Sequence, residues 1–186
     1  MKKQLNTFQP HQQSTLFTLP TYISGFTEEG VSPLNHIEPY EFRLFLSRQK
    51  GVEILSFHDF ETDYDCSYML SLVEMNDDKF LIFCNKYFPY VAVSKVLEEG
   101  VSLKDETAEL PRNRFVKDIG LSEIDDLPFS FLEVELLELK VDADNADSMF
   151  VLKQISDTEF AEFSYWQPLI IADIIFNRWT KKRQAL

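Results

Sequence analysis

The stretch from Trp166 to Trp179, W-Q-P-L-I-I-A-D-I-I-F-N-R-W, holds both tryptophans of the chain. Its order of residues predicts the end of a strand, a proline that opens a helix, and an almost wholly apolar helix. Asp173 and Asn177 are four residues apart, so they mark one narrow exposed stripe of that helix. We therefore expect a helix at the centre of the core, with only Asp173 and Asn177 free to act at the surface.

The apolar patterns outside this stretch predict an α+β fold. Residues 39–48 begin with a proline and predict a short helix. Residues 67–75 and 79–85 are strand-like and flank the turn Asn76-Asp77-Asp78, which is a hairpin signal. The sequence thus predicts an antiparallel sheet of about five or six strands with N- and C-terminal helices packed on it. Further strands are predicted over residues 53–57 and 129–141, the latter with one bulge, and in a second hairpin over residues 149–155 and 159–166. Residues 87–96 fit either a further edge strand, which we prefer, or a short helix.

Length and composition predict one globular domain over residues 1–186, with residues 1–20 as a loosely held arm. A chain of 186 residues with 45% hydrophobic residues and seventeen Phe is long and apolar enough for a single packed core. No run approaches the roughly 18 apolar residues of a membrane span. Polar residues after Met1 interrupt any signal-peptide core. We therefore expect a cytoplasmic protein that does not bind a membrane.

The charge of the chain is negative and unevenly distributed. The net charge is −13, and residues 53–165 hold 26 of the 31 acidic residues but only half of the 18 basic ones. Such a body repels free nucleic acid. It attracts a basic protein and accelerates its association by electrostatic steering. Solubility alone is the other explanation of the same balance.

Motifs for catalysis or metal binding are incomplete. Residues 58–66 and 142–147 alternate acids as a calcium loop does, but both lack the glycine of its sharp turn. A zinc site needs a second His or Cys pair, and only Cys66 is near. There is no G-x-S-x-G elbow, and residues 25–32 have the glycines of a phosphate loop without its lysine. We therefore predict no enzyme activity, no catalytic residue, no metal and no cofactor.

Cys66 and Cys84 lie in strand-like apolar runs. This setting is typical of reduced, buried thiols in a cytosolic protein. A bridge between neighbouring strands is the alternative.

The block Trp166-Gln167-Pro168, followed by Ile174-Ile175-Phe176-Asn177-Arg178-Trp179, resembles the C-terminal W-x-P to F-N-x-W pattern of small bacterial immunity-type proteins. Proteins of that type are encoded beside secreted polymorphic or contact-dependent toxins. The resemblance covers about fourteen residues and departs at Thr180, where the pattern has an acid. It implies an immunity protein that binds and neutralises a cognate toxin acting in the cytoplasm.

The acidic residues are the predicted contact surface for such a toxin, whose active site is expected to be basic, as in a nuclease. No direct contact with nucleic acid is expected. Two alternatives stay open: an acidic DNA mimic that inhibits a nucleic-acid-binding protein, and a small enzyme with a pocket beneath the sheet. The predicted contact residues form three groups: Asp59, Glu61, Asp63 and Asp65; Glu133, Glu135 and Glu138; and Asp142, Asp144 and Asp147.

Overall fold

A β-hairpin forms the centre of the sheet, as the sequence predicts. In the computed structural model, which describes residues 17–31, 34–60, 66–96, 115–117 and 119–177, strands β2 (Tyr68–Met75) and β3 (Asp78–Asn85) pair along their full length. Asn76 and Asp77 join them with positive φ angles of 53° and 65°. Two such residues in succession give the type I′ turn, whose twist matches that of the flanking strands. The turn therefore fixes the register of the hairpin.

The sheet of the described residues has five strands in the order β1-β2-β3-β4-β5. Strand β1 (Glu53–His58) pairs antiparallel with β2, and β4 (Tyr90–Lys95) pairs antiparallel with β3. Strand β5 (Ser130–Phe131) is short and runs parallel to β4. With helices towards both ends of the chain, this architecture confirms the predicted α+β fold. Among the described helices, none has the length and apolar character needed to cross a membrane.

Both faces of the sheet are buried, which explains why its central strands are almost continuously apolar. Successive side chains of a strand point to opposite faces. Met69 and Ile82 accordingly lie in one core cluster, while Leu70 and Phe83 lie in the other. We call the face that carries Met69 and Ile82 the first face and the other the second. Helix α1 (Pro39–Ser47), which the sequence predicts, covers the first face. It contributes three buried side chains: Phe42, Phe45 and Leu46.

The second face carries the apolar stretch near the C-terminus, and this stretch is a core element as predicted. Its helix, α5 (Ile171–Ile175), is shorter than predicted and begins three residues after Pro168. The Asp173 carboxylate accepts hydrogen bonds from the N–H groups of Leu169 (2.8 Å) and Ile170 (3.2 Å). Asp173 therefore caps the start of the helix. Residues from 178 onward, Trp179 among them, lie outside the described residues.

Residues 146–166 form two helices, so the predicted second hairpin is wrong. These are α3 (Ala146–Val151) and α4 (Asp157–Trp166). The Asn145 side chain caps α3, and Ser156 and Glu159 form a reciprocal capping box at the start of α4. The S-x-x-E spacing of a capping box is visible at Ser156 and Glu159 in the sequence, although the hairpin prediction places residues 156–158 in a turn. Capping thus favours helix over strand here.

The predicted strand over residues 129–141 is also wrong for most of its length. Pairing with β4 ends at Phe131, and the chain then enters the single helical turn α2 (Val134–Leu137). Val134 and Leu137 are three residues apart and therefore share one helix face, and both pack into the core of the second face. The alternation of acidic and apolar residues fits this turn as well as it fits a strand.

Buried side-chain amides join the two ends of the described chain to the sheet. The Asn85 Nδ2 group donates to the carbonyls of Ile23 (3.0 Å) and Ile175 (2.6 Å), and its Oδ1 accepts from the N–H groups of Tyr87 (2.9 Å) and Phe88 (3.0 Å). All four hydrogen-bonding positions of this amide are therefore used.

Asn177 makes a second junction of this kind, so the prediction that it lies at the surface is wrong. The residue is only 2% exposed. Its Nδ2 group donates to the carbonyls of Ser24 (2.8 Å) and Ile174 (3.1 Å), and its backbone N–H donates to Ser67 Oγ (2.9 Å). These bonds hold the end of α5 against the start of β2.

A buried carboxylate attaches the N-terminal turn, residues 21–25, to α4. Glu159 has no exposed surface. Its Oε1 accepts from the N–H (3.1 Å) and hydroxyl (2.6 Å) of Ser24, and its Oε2 accepts from the N–H groups of Tyr22 (2.8 Å) and Ser156 (3.1 Å). Glu159 therefore joins the N-terminal turn to the start of α4, two segments that are far apart in sequence.

We expect Glu159→Ala to lower the free energy of unfolding by about 3 kcal/mol, because several buried donors lose their acceptor. Urea denaturation followed by circular dichroism measures this change. Glu135→Ala, at an exposed position, is the control and should change stability by less than about 0.5 kcal/mol. Equal stability of the two variants would contradict the structural role of Glu159.

Cys66 and Cys84 lie on opposite faces of the sheet, so they cannot bridge each other. Both are buried thiols, and burial raises the pKa of the Cys84 thiol well above its ordinary value.

Since the thiolate is the reactive form, we expect slow reaction of both residues with a disulfide reagent in the folded protein. Two thiols should react rapidly once denaturant is added. Rapid release of one equivalent from folded protein would show that one site is accessible.

Candidate functional site

The first group of predicted contact residues is only partly described. Asp59 forms an ion pair with Lys86, with 3.4 Å between Oδ1 and Nζ, and the two side chains are 19% and 11% exposed. This pair is mostly shielded from water, so the charge of Asp59 is largely compensated within the fold. Glu61, Asp63 and Asp65 lie outside the described residues. Asp59 therefore acts within the fold, where it balances the charge of Lys86.

The second group surrounds α2. Glu133 and Glu135 are exposed, and Glu138 is half-buried. Glu133 forms an ion pair with Lys117, and because both side chains are exposed this pair contributes little to stability. Glu138 Oε1 is sealed from solvent and has no hydrogen-bond partner among the described residues. Only Glu133 and Glu135 thus present their carboxylates fully to solvent.

The third group shapes the loop that leads into α3. Asp142 Oδ1 accepts a hydrogen bond from the N–H of Asp144 (2.9 Å), which closes an Asx turn. Asp147 stands in the first turn of α3, where a negative charge is favourable. All three residues are exposed, and none forms an ion pair within the described part of the chain. Their charges therefore face solvent uncompensated.

The second and third groups lie in one continuous acidic segment, residues 133–147. This segment holds six acids and the single base Lys140. The middle of this segment is attached to the core beside α5. The N–H of Val141 donates to Leu169 O (3.0 Å), and the N–H of Ile171 donates to Leu139 O (2.9 Å). The acidic segment is thus held at its centre, with exposed carboxylates on either side of that attachment.

Exposed apolar side chains on α3, on α4 and directly after α4 are a feature that the sequence analysis missed. Eight large hydrophobic residues are exposed in the described chain, and five of them lie between residues 149 and 169. The hairpin prediction places the first four of them on strands, over residues 149–155 and 159–166, whereas Leu169 belongs to the predicted C-terminal helix. The capping box of α4 was the sequence signal that could have revealed their helical setting. The five residues are Met149, Phe150, Phe160, Tyr165 and Leu169.

An acid precedes each exposed aromatic residue of α3 and α4 by three positions. Residues at this spacing are neighbours on a helix surface. Each aromatic side chain is therefore presented next to a carboxylate. These acid–aromatic pairs are Asp147 with Phe150, Asp157 with Phe160, and Glu162 with Tyr165.

Carboxylates, imidazoles and thiols are the side chains that could hold a metal ion. In the ranges that the structure describes, no group of three or more His, Cys, Asp or Glu side chains is arranged to hold a metal ion.

We expect Asp59→Asn to lower the free energy of unfolding by about 1 kcal/mol, since the ammonium of Lys86 keeps its burial and loses its counter-charge. Asp142→Asn is the matched control. It removes the same charge from an exposed site and keeps an amide oxygen for the Asx turn, so its stability should stay within about 0.5 kcal/mol of the parent. Thermal unfolding measures the stability of both variants. If Asp59→Asn were as stable as the parent, the ion pair with Lys86 would contribute nothing to the fold.

Comparisons with known proteins leave the family open, because no family model, no curated protein and no solved structure matches this chain.

Proposed function

We propose that this protein is an immunity protein that binds a bacterial toxin in the cytoplasm and blocks its active site. The acid–aromatic pairs on α3 and α4 are the observation that carries the proposal. Aromatic residues dominate the energetics of protein interfaces, where they bury large apolar areas at a small entropic cost. Carboxylates beside them select a partner with the opposite charge.

The chemistry of the surface indicates a partner rich in arginine and lysine. A guanidinium group can pair with a carboxylate and pack on an aromatic face at the same time. The pairs Asp147–Phe150 and Asp157–Phe160 offer both contacts within one helical turn. In the third pair the Glu162 carboxylate already accepts a hydrogen bond from Trp166 Nε1 (3.2 Å). Nucleases hold phosphates with clusters of such cations, so an acidic inhibitor can occupy the same cationic site. A second copy of this chain is disfavoured as a partner, because the net charge of −13 makes two copies repel.

The helices that carry the pairs are fixed to the core before any partner binds. Ser148 and Val151 of α3 are fully buried, and Glu159 and Phe163 anchor α4 in the same way. Exposed residues on a well-anchored helix lose little conformational entropy in a complex, which favours tight binding.

A test of this function needs the toxic domain of the secreted protein that is expected beside this gene. Co-production of the two proteins should protect bacterial growth, and the purified proteins should form a one-to-one complex. The triple variant Asp142→Asn, Asp144→Asn, Asp147→Asn should lower the association rate at least about tenfold near 0.1 M salt, and the difference should shrink near 1 M salt because of screening. Stopped-flow fluorescence measures these rates.

The matched control for this experiment removes the same number of charges elsewhere. Asp77→Asn, Glu123→Gln and Asp125→Asn together change three exposed acids outside the acidic segment. A general effect of net charge predicts equal losses in the two triple variants, whereas local steering predicts a much larger loss in the first. Failure to protect growth, or binding to a DNA-handling protein in place of a toxin, would overturn the immunity function.

A further inference from the structure

A cavity of about 190 Å³ opens at the edge of β4 that faces away from β3. It lies on the first face of the sheet, because Val93, Val116 and Phe131 line it and pack in the core cluster of that face. The residues of the acid–aromatic pairs are not among its lining residues. The cavity is therefore separate from the proposed toxin-binding surface on α3 and α4.

Two segments of the chain share this edge of β4, and the cavity lies where one segment follows the other. The N–H of Leu132 donates to Val91 O (2.9 Å), next to the parallel pairing of β5. Further along β4, the N–H of Val116 donates to Val93 O (2.9 Å), where the chain runs antiparallel to β4. Backbone hydrogen bonds to one strand thus hold both walls. The cavity is therefore formed before any ligand binds, as in most small-molecule sites.

The inner surface of the cavity is apolar. Val93 is 5% exposed, and the other apolar lining residues are half-buried. An apolar cavity of about 150 Å³ holds a molecule of the size of benzene. This cavity therefore has room for an apolar group of about six carbon atoms or slightly more. The apolar lining residues in the described part of the chain are Val93, Val116, Ile119, Leu121, Phe131 and Leu132.

Lys117 and Glu133 complete the described lining and form the mouth of the cavity. Their side chains are 61% and 62% exposed, whereas the apolar lining residues lie deeper. Lys117 Nζ contacts Glu133 Oε2 in an ion pair. A carboxylate accepts hydrogen bonds at about four lone-pair positions on its two oxygens. Glu133 can therefore accept from a second donor at the mouth while it keeps Lys117 as its partner.

The charge around the mouth favours a cation as this second donor. Glu133 is the first residue of the acidic segment, and the whole chain has a net charge of −13. A field of this sign attracts cations and repels anions. An exposed ion pair contributes little free energy by itself, so an apolar group buried in the cavity has to supply most of the affinity.

We propose that this cavity binds a small amphiphilic amine, whose apolar body fills the cavity and whose ammonium group donates a hydrogen bond to Glu133. The proposal goes beyond the immunity function and does not depend on it, since the site lies within one chain and involves no protein partner.

The probe for the full-length protein is n-hexylamine, which we expect to bind with a dissociation constant below about 1 mM in isothermal titration calorimetry. The shorter n-propylamine should bind at least about tenfold more weakly, because it buries fewer methylene groups. Hexanoate should also bind at least about tenfold more weakly, because its carboxylate is repelled at the mouth. The methyl resonances of Val93 and Val116 should shift on binding of n-hexylamine.

Two pairs of variants test the location. Val116→Phe fills the cavity and should weaken binding at least about tenfold, whereas Val52→Phe changes a half-buried valine outside the lining and should bind as the parent does. Glu133→Gln should weaken binding about threefold, whereas Glu135→Gln removes the same charge from a nearby exposed position and should leave binding unchanged. Thermal unfolding shows whether each variant is folded, and Val116→Leu replaces Val116→Phe if that variant is not.

Absence of n-hexylamine binding at about 5 mM would overturn the proposal. Equal affinities for n-hexylamine and n-propylamine would overturn it as well, because they would indicate attraction to the acidic surface alone. Parent-like binding by the folded cavity-filling variant would contradict the location of the apolar body. Equal losses in Glu133→Gln and Glu135→Gln would contradict the contact between the ammonium group and Glu133.

Discussion

The four hydrogen bonds of the Asn85 side chain are the constraint on which the rest of this structure depends. Asn85 ends the central hairpin and has no exposed surface. One amide group holds the N-terminal turn through Ile23, the helix α5 through Ile175, and the chain that leads into β4 through Tyr87 and Phe88. A buried amide in apolar surroundings is costly unless it is fully hydrogen-bonded. Only an arrangement that brings all three segments together satisfies it.

Glu159 extends this constraint to the helices that carry the proposed interface. Its carboxylate completes the capping box of α4 and also holds Tyr22 and Ser24 of the N-terminal turn. Ser24 in turn accepts, through its carbonyl, a hydrogen bond from the side chain of Asn177. One connected set of buried polar groups therefore holds α4, the N-terminal turn and the end of α5 together. The acid–aromatic pairs of α4 are presented by a helix whose position the core already determines.

The acidic residues divide by environment into structural and available charges. Asp59 is shielded and paired with Lys86, so most of its field is cancelled at short range. Asp142, Asp144 and Asp147 are exposed, and their field reaches about one Debye length, roughly 8 Å at physiological salt. All of these residues carry the same negative charge. Burial and pairing decide which of them a partner can reach.

The sequence by itself determined the features whose causes lie within a few neighbouring residues. The I′ turn at Asn76-Asp77, the helix opened by Pro39 and the apolar character of residues 170–176 are of this kind. A capping box is equally local, and residues 156–159 display one that an alternating pattern concealed. Only the tertiary structure decided that Asn177 is buried, that Cys66 and Cys84 face opposite sides of the sheet, and that Asp59 is paired. Each of these depends on contacts between segments distant in sequence, which periodicity and composition do not encode.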